Sequence, residues 1–522
     1  MAGMSRNTVG GVSSWIGVVV LLLGLSGLVI GLGWRARQMP VGSEGPLSAS
    51  DPQPNIVLIF TDQHRFDALG VVGHPIAVTP SMDALANEGV LFRRGYSNSP
   101  VCAPARVALM TGLLPHQTGV TSNSHETRPQ GPSHVRRIRD EAGYATALVG
   151  KAHLYAGERH TREGAEILEA WGFEHTVEVP GPMEHTVRGS AYSDYLTATT
   201  PEGETDKAER YIDYLRTHPY YGPPMQEEPW RLPEEDHMDV FIGRHAREWI
   251  LAHEDERPFY LQVNFGGPHS PFNAPQAYHD LYDREDPAFP SRNAAPPDPP
   301  VSPLVTRMLE KRSAPWTDAE YRSVVVDYLA RVSLVDAQIG ALLDTLRETG
   351  QYDNTWIIYA SDHGEMLGDH DLIKKVVFFE ASWRIPLIIR PPGGTEPWET
   401  IALSDTVDLS ASLLEMAGLE VPAGVPGVSQ VPRVRAGPNA PQAQVGKGWI
   451  YGENKESFAI RTDRWKLVYD VKRAAPVELY DLIDDPEETD NRVDEPHLSE
   501  VREALEAQLL GIRDQYPAAG GH

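Results

Sequence analysis

Apolar and polar positions alternate along the chain in blocks. Residues 55–60 read Asn-Ile-Val-Leu-Ile-Phe, the continuous apolar run that a strand buried on both faces requires, and Thr61-Asp62-Gln63 follows at once. Thr79-Pro80-Ser81 then opens a helix with proline in its first turn, and Gly89 closes it. The same block recurs three times. Residues 144–149 run into Gly150-Lys151-Ala152-His153, and residues 258–265 run into Gly266-Gly267-Pro268-His269. A long amphipathic stretch, about 321–349, is stopped by Gly350 and leads to residues 355–360 and Ser361-Asp362-His363-Gly364. The pattern predicts an α/β fold in which four buried strands end in polar clusters. Ligands of open α/β sheets bind beyond the carboxyl ends of the strands, so these four clusters are expected to converge.

The rest of the pattern divides the chain. After a short tail, 1–14, residues 15–34 carry no charge and have the ~20 positions that cross a bilayer as a helix. That is longer than the ~7–15 residue core of a secretory signal, and no small-x-small cleavage site follows. An uncleaved transmembrane anchor is therefore expected, with a cleaved signal as the alternative. Arg6 lies on one side and Arg35 and Arg37 on the other, which leaves orientation open. Residues 35–54 read as a linker rich in Pro, Gly and Ser, and 55–420 as one large domain. Within it, proline-rich loops are expected at about 218–233 and 286–315. Residues 386–389 read as a further core strand and residues 405–418 as a short helix. A proline- and glycine-rich stretch, 421–437, opens a smaller C-terminal part, 421–522, with a hairpin at 458–469, a strand and turn at 478–486, and a closing helix at 498–515. No internal repeat is present.

Composition narrows the classes. With 522 residues, 41% of them hydrophobic, the chain can bury a sizeable core in more than one domain. Its 46 Lys and Arg against 73 Asp and Glu give a formal charge of −27, which argues against nucleic acid as a partner. An anionic ligand would need a locally basic pocket on this repelling surface, which favours small anions over large polyanions.

The one cysteine, Cys102, excludes an internal disulfide. A lone thiol is ordinarily a small buried hydrophobe. Its neighbours argue otherwise. Pro104 suits a first helical turn, Val107 to Met110 carry a helix onward, and Thr111-Gly112 stops it. Cys102 then sits at a helix N-terminus that favours an anion, with Arg106 four residues on and on the same face. Asp62, Gln63, Asp362 and His363 offer oxygen donors and one imidazole, a set suited to a hard or borderline divalent cation. Any one of them could equally cap a turn, and two such pairs at equivalent strand ends favour the metal.

Cys102-Ala-Pro-Ala-Arg106 followed by Met110-Thr-Gly112 resembles the signature of type I sulfatases, members of the alkaline phosphatase superfamily. The family more often has serine where this chain has Ala105. The resemblance implies a large mixed sheet flanked by helices with a smaller C-terminal antiparallel-sheet domain, the large domain being catalytic. It also implies that Cys102 is oxidised to Cα-formylglycine by a formylglycine-generating enzyme, and that its hydrate attacks sulfur. The matching positions imply a metal site of Asp62, Gln63, Asp362, His363 and modified Cys102. Most of the family has Asp-Asp and Asp-Asn at these places. Gln63 and His363 look instead like the choline-sulfatase and phosphonate monoester hydrolase branch. Ca²⁺ is the expected ion, with Mn²⁺ the alternative that an imidazole ligand favours.

Lys151 and His153 match the Gly-Lys-x-His element, and His269 matches a downstream catalytic histidine. Lys375, thirteen residues beyond Asp362, stands where that branch places a substrate-binding lysine, and Lys374 reads as structural. By this resemblance Lys151 and Lys375 hold sulfate oxygens, His269 protonates the leaving oxygen, and His153 deprotonates the second hydroxyl to expel sulfate. His64, Arg65 and His116 lie near the motifs without an assigned role. The expectation is a membrane-anchored sulfatase acting on a small-molecule or saccharide sulfate ester, with its catalytic domain extracytoplasmic. Two alternatives stand beside it: a phosphonate or phosphate mono- or diester hydrolase on the same fold, and a catalytically silent, membrane-tethered anion-binding protein. Oligomeric state and the alcohol that carries the sulfate are left open.

Overall fold

The computed structural model describes residues 53–124, 133–155, 160–217, 229–292, 302–311 and 317–518. The expected anchor at 15–34 and the linker through residue 52 lie outside the described residues, as do 218–228, 293–301 and 312–315 of the two proline-rich loops. Among the described residues no helix is long and apolar enough to cross a membrane.

In chain order the strands of the larger part are β1 (Asn55–Asp62), β2 (Val90–Phe92), β3 (Gly95–Tyr96), β4 (Ala145–Gly150), β5 (His175–Glu178) and β6 (Phe259–Pro268). They continue with β7 (Thr355–Ser361), β8 (Arg384–Ile385), β9 (Leu387–Arg390), β10 (Trp398–Thr400) and β11 (Ser404–Asp405). Among the described residues, eight of them form one sheet in the order β10-β2-β9-β7-β1-β6-β4-β5, and β11, β3 and β8 form a small second sheet. β1 runs parallel to β6 and β7, and β4 parallel to β6, so the four predicted strands share one carboxyl edge. β9 pairs antiparallel with β7, which makes the sheet mixed.

Both faces of β1 are covered, which is why its sequence does not alternate. Ile56, Leu58 and Phe60 pack with Val107, Leu109 and Leu413 on one side, while Val57 and Ile59 meet Val335, Ile339 and Leu342 on the other. The second group belongs to the helix Asp318–Glu348, which begins at a capping box: the Thr317 N–H donates to Glu320 Oε2 (2.8 Å) and the Glu320 N–H to Thr317 Oγ1 (3.2 Å).

Two stretches read as loops hold short helices instead. Pro303–Glu310 forms because Ser302 caps the Val305 N–H and Val305 is buried, and Val431–Ala436 forms with proline in its first turn and Val431 and Val434 buried. In both, proline marks a helix start rather than a break. The C-terminal sheet is antiparallel, with strands β12 (Ile450–Glu453), β13 (Ser457–Arg461), β14 (Trp465–Asp470) and β15 (Ala475–Asp481). The helix Ser499–Gln515 covers it through Leu505, Leu509 and Ile512, in a core that also takes in Ala108 of the Cys102 helix and Val407.

Candidate active site

The four strand ends deliver their polar residues to one place. Asp62 ends β1, Lys151 follows β4, His269 follows β6, and Asp362 and His363 follow β7. The exit from β4 needs glycine: Gly150 has φ +108°, and a Cβ there would come 1.9 Å from the Asn264 carbonyl oxygen. Asn264 in turn accepts the Lys151 N–H at its carbonyl (3.0 Å) and donates from Nδ2 to the Lys151 carbonyl (2.7 Å), which fixes the start of that loop.

Cys102 is the first residue of the helix Cys102–Thr111, after extended Val101, and Gly112 ends the helix in the left-handed region. Its Sγ lies 3.1 Å from His363 Nε2 and 3.8 Å from Asp62 Oδ1. One turn on, Arg106 donates from Nε to Asp362 Oδ2 (3.0 Å), places Nη2 2.9 Å from the same oxygen and 3.8 Å from Asp62 Oδ2, and donates from Nη1 to the Lys151 carbonyl (2.9 Å). Lys151 Nζ donates to Asp62 Oδ2. His363 Nε2 stands 3.5 Å from Asp362 Oδ1 and 3.7 Å from Asp62 Oδ1.

Charge is crowded and dry here. Burial opposes ionisation of Asp62, yet Lys151, His269, Lys375 and Arg106 together hold its carboxyl well below the usual range. Burial and the adjacent Asp62 push Asp362 up. Burial and Asp62 also raise the Cys102 thiol, but Lys151, Lys375 and His363 outweigh them and bring it well below its ordinary value. Burial and then Lys375 drive His269 well below the usual imidazole value, and its Nδ1 donates to the Ser270 carbonyl (2.7 Å), which fixes the tautomer.

Asp62, Cys102, Asp362 and His363 each bring a ligand atom within 4.8 Å of the others, all buried. Two carboxylates side by side, one raising the other, with an imidazole nitrogen and a sulfur position facing them, fit a divalent cation, whose charge would relieve that repulsion. Gln63 joins this group through its backbone, the N–H donating to Asp362 Oδ1 (3.0 Å). Its side chain reaches elsewhere: Oε1 accepts from Lys375 Nζ, and Nε2 donates to Glu365 Oε2.

His153 turns Nε2 toward Glu184 Oε1 at 3.2 Å. Of the nine non-glycine residues with positive φ among the described residues, four belong to this region: Gln63, His153, Lys374 and Val376. Such backbone costs on the order of 1–3 kcal/mol per residue and tends to gather at functional sites.

His64, Arg65 and His116 are held by other contacts. His64 meets the Tyr359 hydroxyl and the Ala68 carbonyl, Arg65 pairs with Asp67 and Asp369 (both 2.7 Å), and His116 lies between Glu453 (2.9 Å) and the Tyr516 carbonyl (2.7 Å). Sequence reasoning missed Glu365, Glu184 and Asn264. Glu365 is fully buried and accepts from Gln63, from the Leu367 N–H (2.9 Å) and from the Lys374 N–H. Its place two residues after His363, beyond Gly364, was the available signal.

Residues 54–419 match the sequence profile of the family described as Sulfatase, and residues 368–515 match that of "N-sulphoglucosamine sulphohydrolase, C-terminal". The chain is similar to the choline-sulfatase of Rhizobium meliloti, 30% identical over 453 residues that cover 85% of this chain and 83% of that protein. It is similar to the N-acetylglucosamine-6-O-sulfatase of Bacteroides thetaiotaomicron, 27% identical over 538 residues, 92% of this chain and 90% of the relative. Among solved structures it resembles the phosphonate monoester hydrolase of Agrobacterium radiobacter, with a TM-score of 0.73 and 25% identity over 89% of this chain and 96% of that one. The mixed sheet with its small C-terminal antiparallel sheet is the alkaline-phosphatase-like fold.

Proposed function

We propose, from the premise that this chain belongs to the sulfatase family and is a sulfuric ester hydrolase, that its nucleophile is a formylglycine made from Cys102. One observation carries the reading: position 102 opens a helix beside Asp62 and His363, with Arg106 reaching both Asp62 and Asp362 and Lys151 on Asp62. A hydrated aldehyde at this position supplies the oxygen nucleophile and can be regenerated after sulfate leaves, whereas a thiolate has no second hydroxyl from which to reset.

A divalent cation, Ca²⁺ first and Mn²⁺ second, would be held by Asp62, Asp362, His363 and residue 102, with Gln63 at its edge. When bound it makes the nucleophilic hydroxyl more acidic and balances charge. Arg106 keeps the two carboxylates in register. Lys151 and Lys375 hold the sulfate oxygens and neutralise the charge that develops on them. His269 passes a proton from Nε2 to the leaving oxygen as an imidazolium, a form that burial and Lys375 disfavour in the protein alone and that the negative charge of a bound sulfate ester would favour. His153, oriented by Glu184, removes a proton from residue 102 in the resetting step. A formylglycine-generating enzyme matures the chain. Residues 15–34 tether it to a membrane with the catalytic domain extracytoplasmic. The names of the two sulfatase relatives support a small-molecule or saccharide sulfate ester as substrate.

A second reading, phosphonate or phosphate ester hydrolysis, is favoured by Gln63 and His363 where most of the family has Asp and Asn, and by the likeness to a phosphonate monoester hydrolase. Turnover of p-nitrophenyl sulfate against the matching phosphate and phenylphosphonate esters separates the two. Higher kcat/KM on the sulfate supports the first reading, and higher kcat/KM on either phosphorus ester replaces it with the second. No turnover of any ester by the matured protein leaves the anion-binding alternative.

A further inference from the structure

Lys375 sits in a turn that its own sequence resists. Lys374 and Val376 flank it with φ +73° and +83°, a region that a β-branched valine rarely adopts. Residues in such conformations persist where surrounding contacts over-determine them. On the near side, the Lys374 N–H donates to Glu365 Oε1 and its carbonyl accepts the Met366 N–H (2.6 Å). On the far side, the Val376 N–H donates to the carbonyl of Pro100, two residues before Cys102 (3.1 Å), and the Val376 carbonyl accepts from Asn454 Nδ2 (2.7 Å).

Asn454 lies in the turn between β12 and β13 and is 5% exposed. Its Oδ1 accepts the N–H groups of Glu456 (2.8 Å) and Ser457 (2.9 Å), which fixes the amide so that Nδ2 points at Val376. A side chain of the C-terminal sheet thus holds the turn next to Lys375, and that turn is itself tied to the stretch leading into Cys102.

We infer that Asn454 is a positioning residue for sulfate ester hydrolysis: through the Val376 carbonyl it holds the turn that brings the Lys375 ammonium to Gln63, and so sets where sulfate oxygens bind. This rests on the reading of Lys375 as a sulfate-holding cation. Asn454→Asp keeps the acceptor for the Glu456 and Ser457 amides and turns a carboxylate oxygen on the Val376 carbonyl in place of a donor. Its kcat/KM on p-nitrophenyl sulfate falls about 10- to 100-fold, the scale of an ångström-sized misplacement. The loss appears as a higher KM and as weaker competitive inhibition by inorganic sulfate, measured well below a melting temperature that the buried carboxylate itself lowers.

In a double variant with Lys375→Ala, Asn454→Asp adds no further loss, because both act through one group. A merely structural Asn454 would leave KM and sulfate inhibition alone and add to the Lys375→Ala loss. An undiminished Lys375→Ala enzyme would overturn the reading of Lys375. An impaired Lys375→Ala enzyme with an unaffected Asn454→Asp enzyme, or with additive losses, would overturn the inference alone. If the aspartate variant does not fold, Asn454→Ser, too short to reach Val376, carries the same expectation.

Discussion

Two clusters of buried charge invite comparison. Beside the helix Thr406–Met416, Asp405 and Asp408 are as deeply buried as Asp62 and Asp362 at the strand ends, and the Lys447 side chain that meets them is 6% exposed. In the first cluster every carboxylate oxygen has a structural partner. Asp405 accepts the Asp408 N–H (3.1 Å), Asn98 Nδ2 (3.1 Å) and Lys447 Nζ (2.7 Å). Asp408 accepts the N–H groups of Asp405 (3.0 Å) and Val428 (2.8 Å) and the same lysine (3.0 Å). The result is a capped helix start with its charge closed off by backbone amides and one cation. At the strand ends a single backbone amide, that of Gln63, joins the side chains of Arg106, Lys151 and His363 on the two carboxylates, and a thiol and an imidazole complete the ring. Burial of charge is common to both. Convergence of reactive groups from unrelated segments marks the site.

The contrast can be broken most severely at Cys102. Cys102→Ala is expected to lower kcat by on the order of 10⁴- to 10⁶-fold, the range seen when a nucleophile is removed, with the melting temperature unchanged. A large residual rate would dissolve the distinction. Lys447→Met runs the other way. It strands two buried carboxylates, so unfolding in denaturant is expected to show a loss of about 3–5 kcal/mol, while kcat well below the melting temperature stays as it was. A Lys447→Met enzyme that is stable and inactive would place that cluster in the chemistry. Dialysis against a chelator is the mildest perturbation: activity falls and returns with Ca²⁺ or Mn²⁺. Stability drops by about 2.7 kcal/mol if the ion had been at a hundred times its Kd. Activity and melting temperature that ignore the chelator would remove the metal from the account.

What could be read beforehand was what is local in the chain. β1, β4, β6 and β7 were legible because strands buried on both faces leave continuous apolar runs, and Asp62, Lys151, His269 and Asp362 because each lies within four residues of the end of its run. The alkaline-phosphatase-like fold and the branch shared with choline-sulfatase and phosphonate monoester hydrolase were legible in the Cys102 motif and in Gln63 and His363. Glu184, Asn264 and Asn454 were not, because their roles depend on partners far away in sequence: Asn454 meets Val376, 78 residues earlier. The side chain of Gln63 was read as a metal ligand, and its bonds to Lys375 and Glu365 could not be foreseen without the turn at 374–376. The helices Pro303–Glu310 and Val431–Ala436 were hidden by prolines that serve as helix starts.

The central claim is tested most directly by the mass of the tryptic peptide 95–106 from protein made in its native host. A formylglycine at position 102 makes this peptide about 18 Da lighter than the cysteine form, the difference between a thiol and an aldehyde side chain at the activated nucleophile. A peptide at the full cysteine mass in an enzyme that hydrolyses sulfate esters would contradict it.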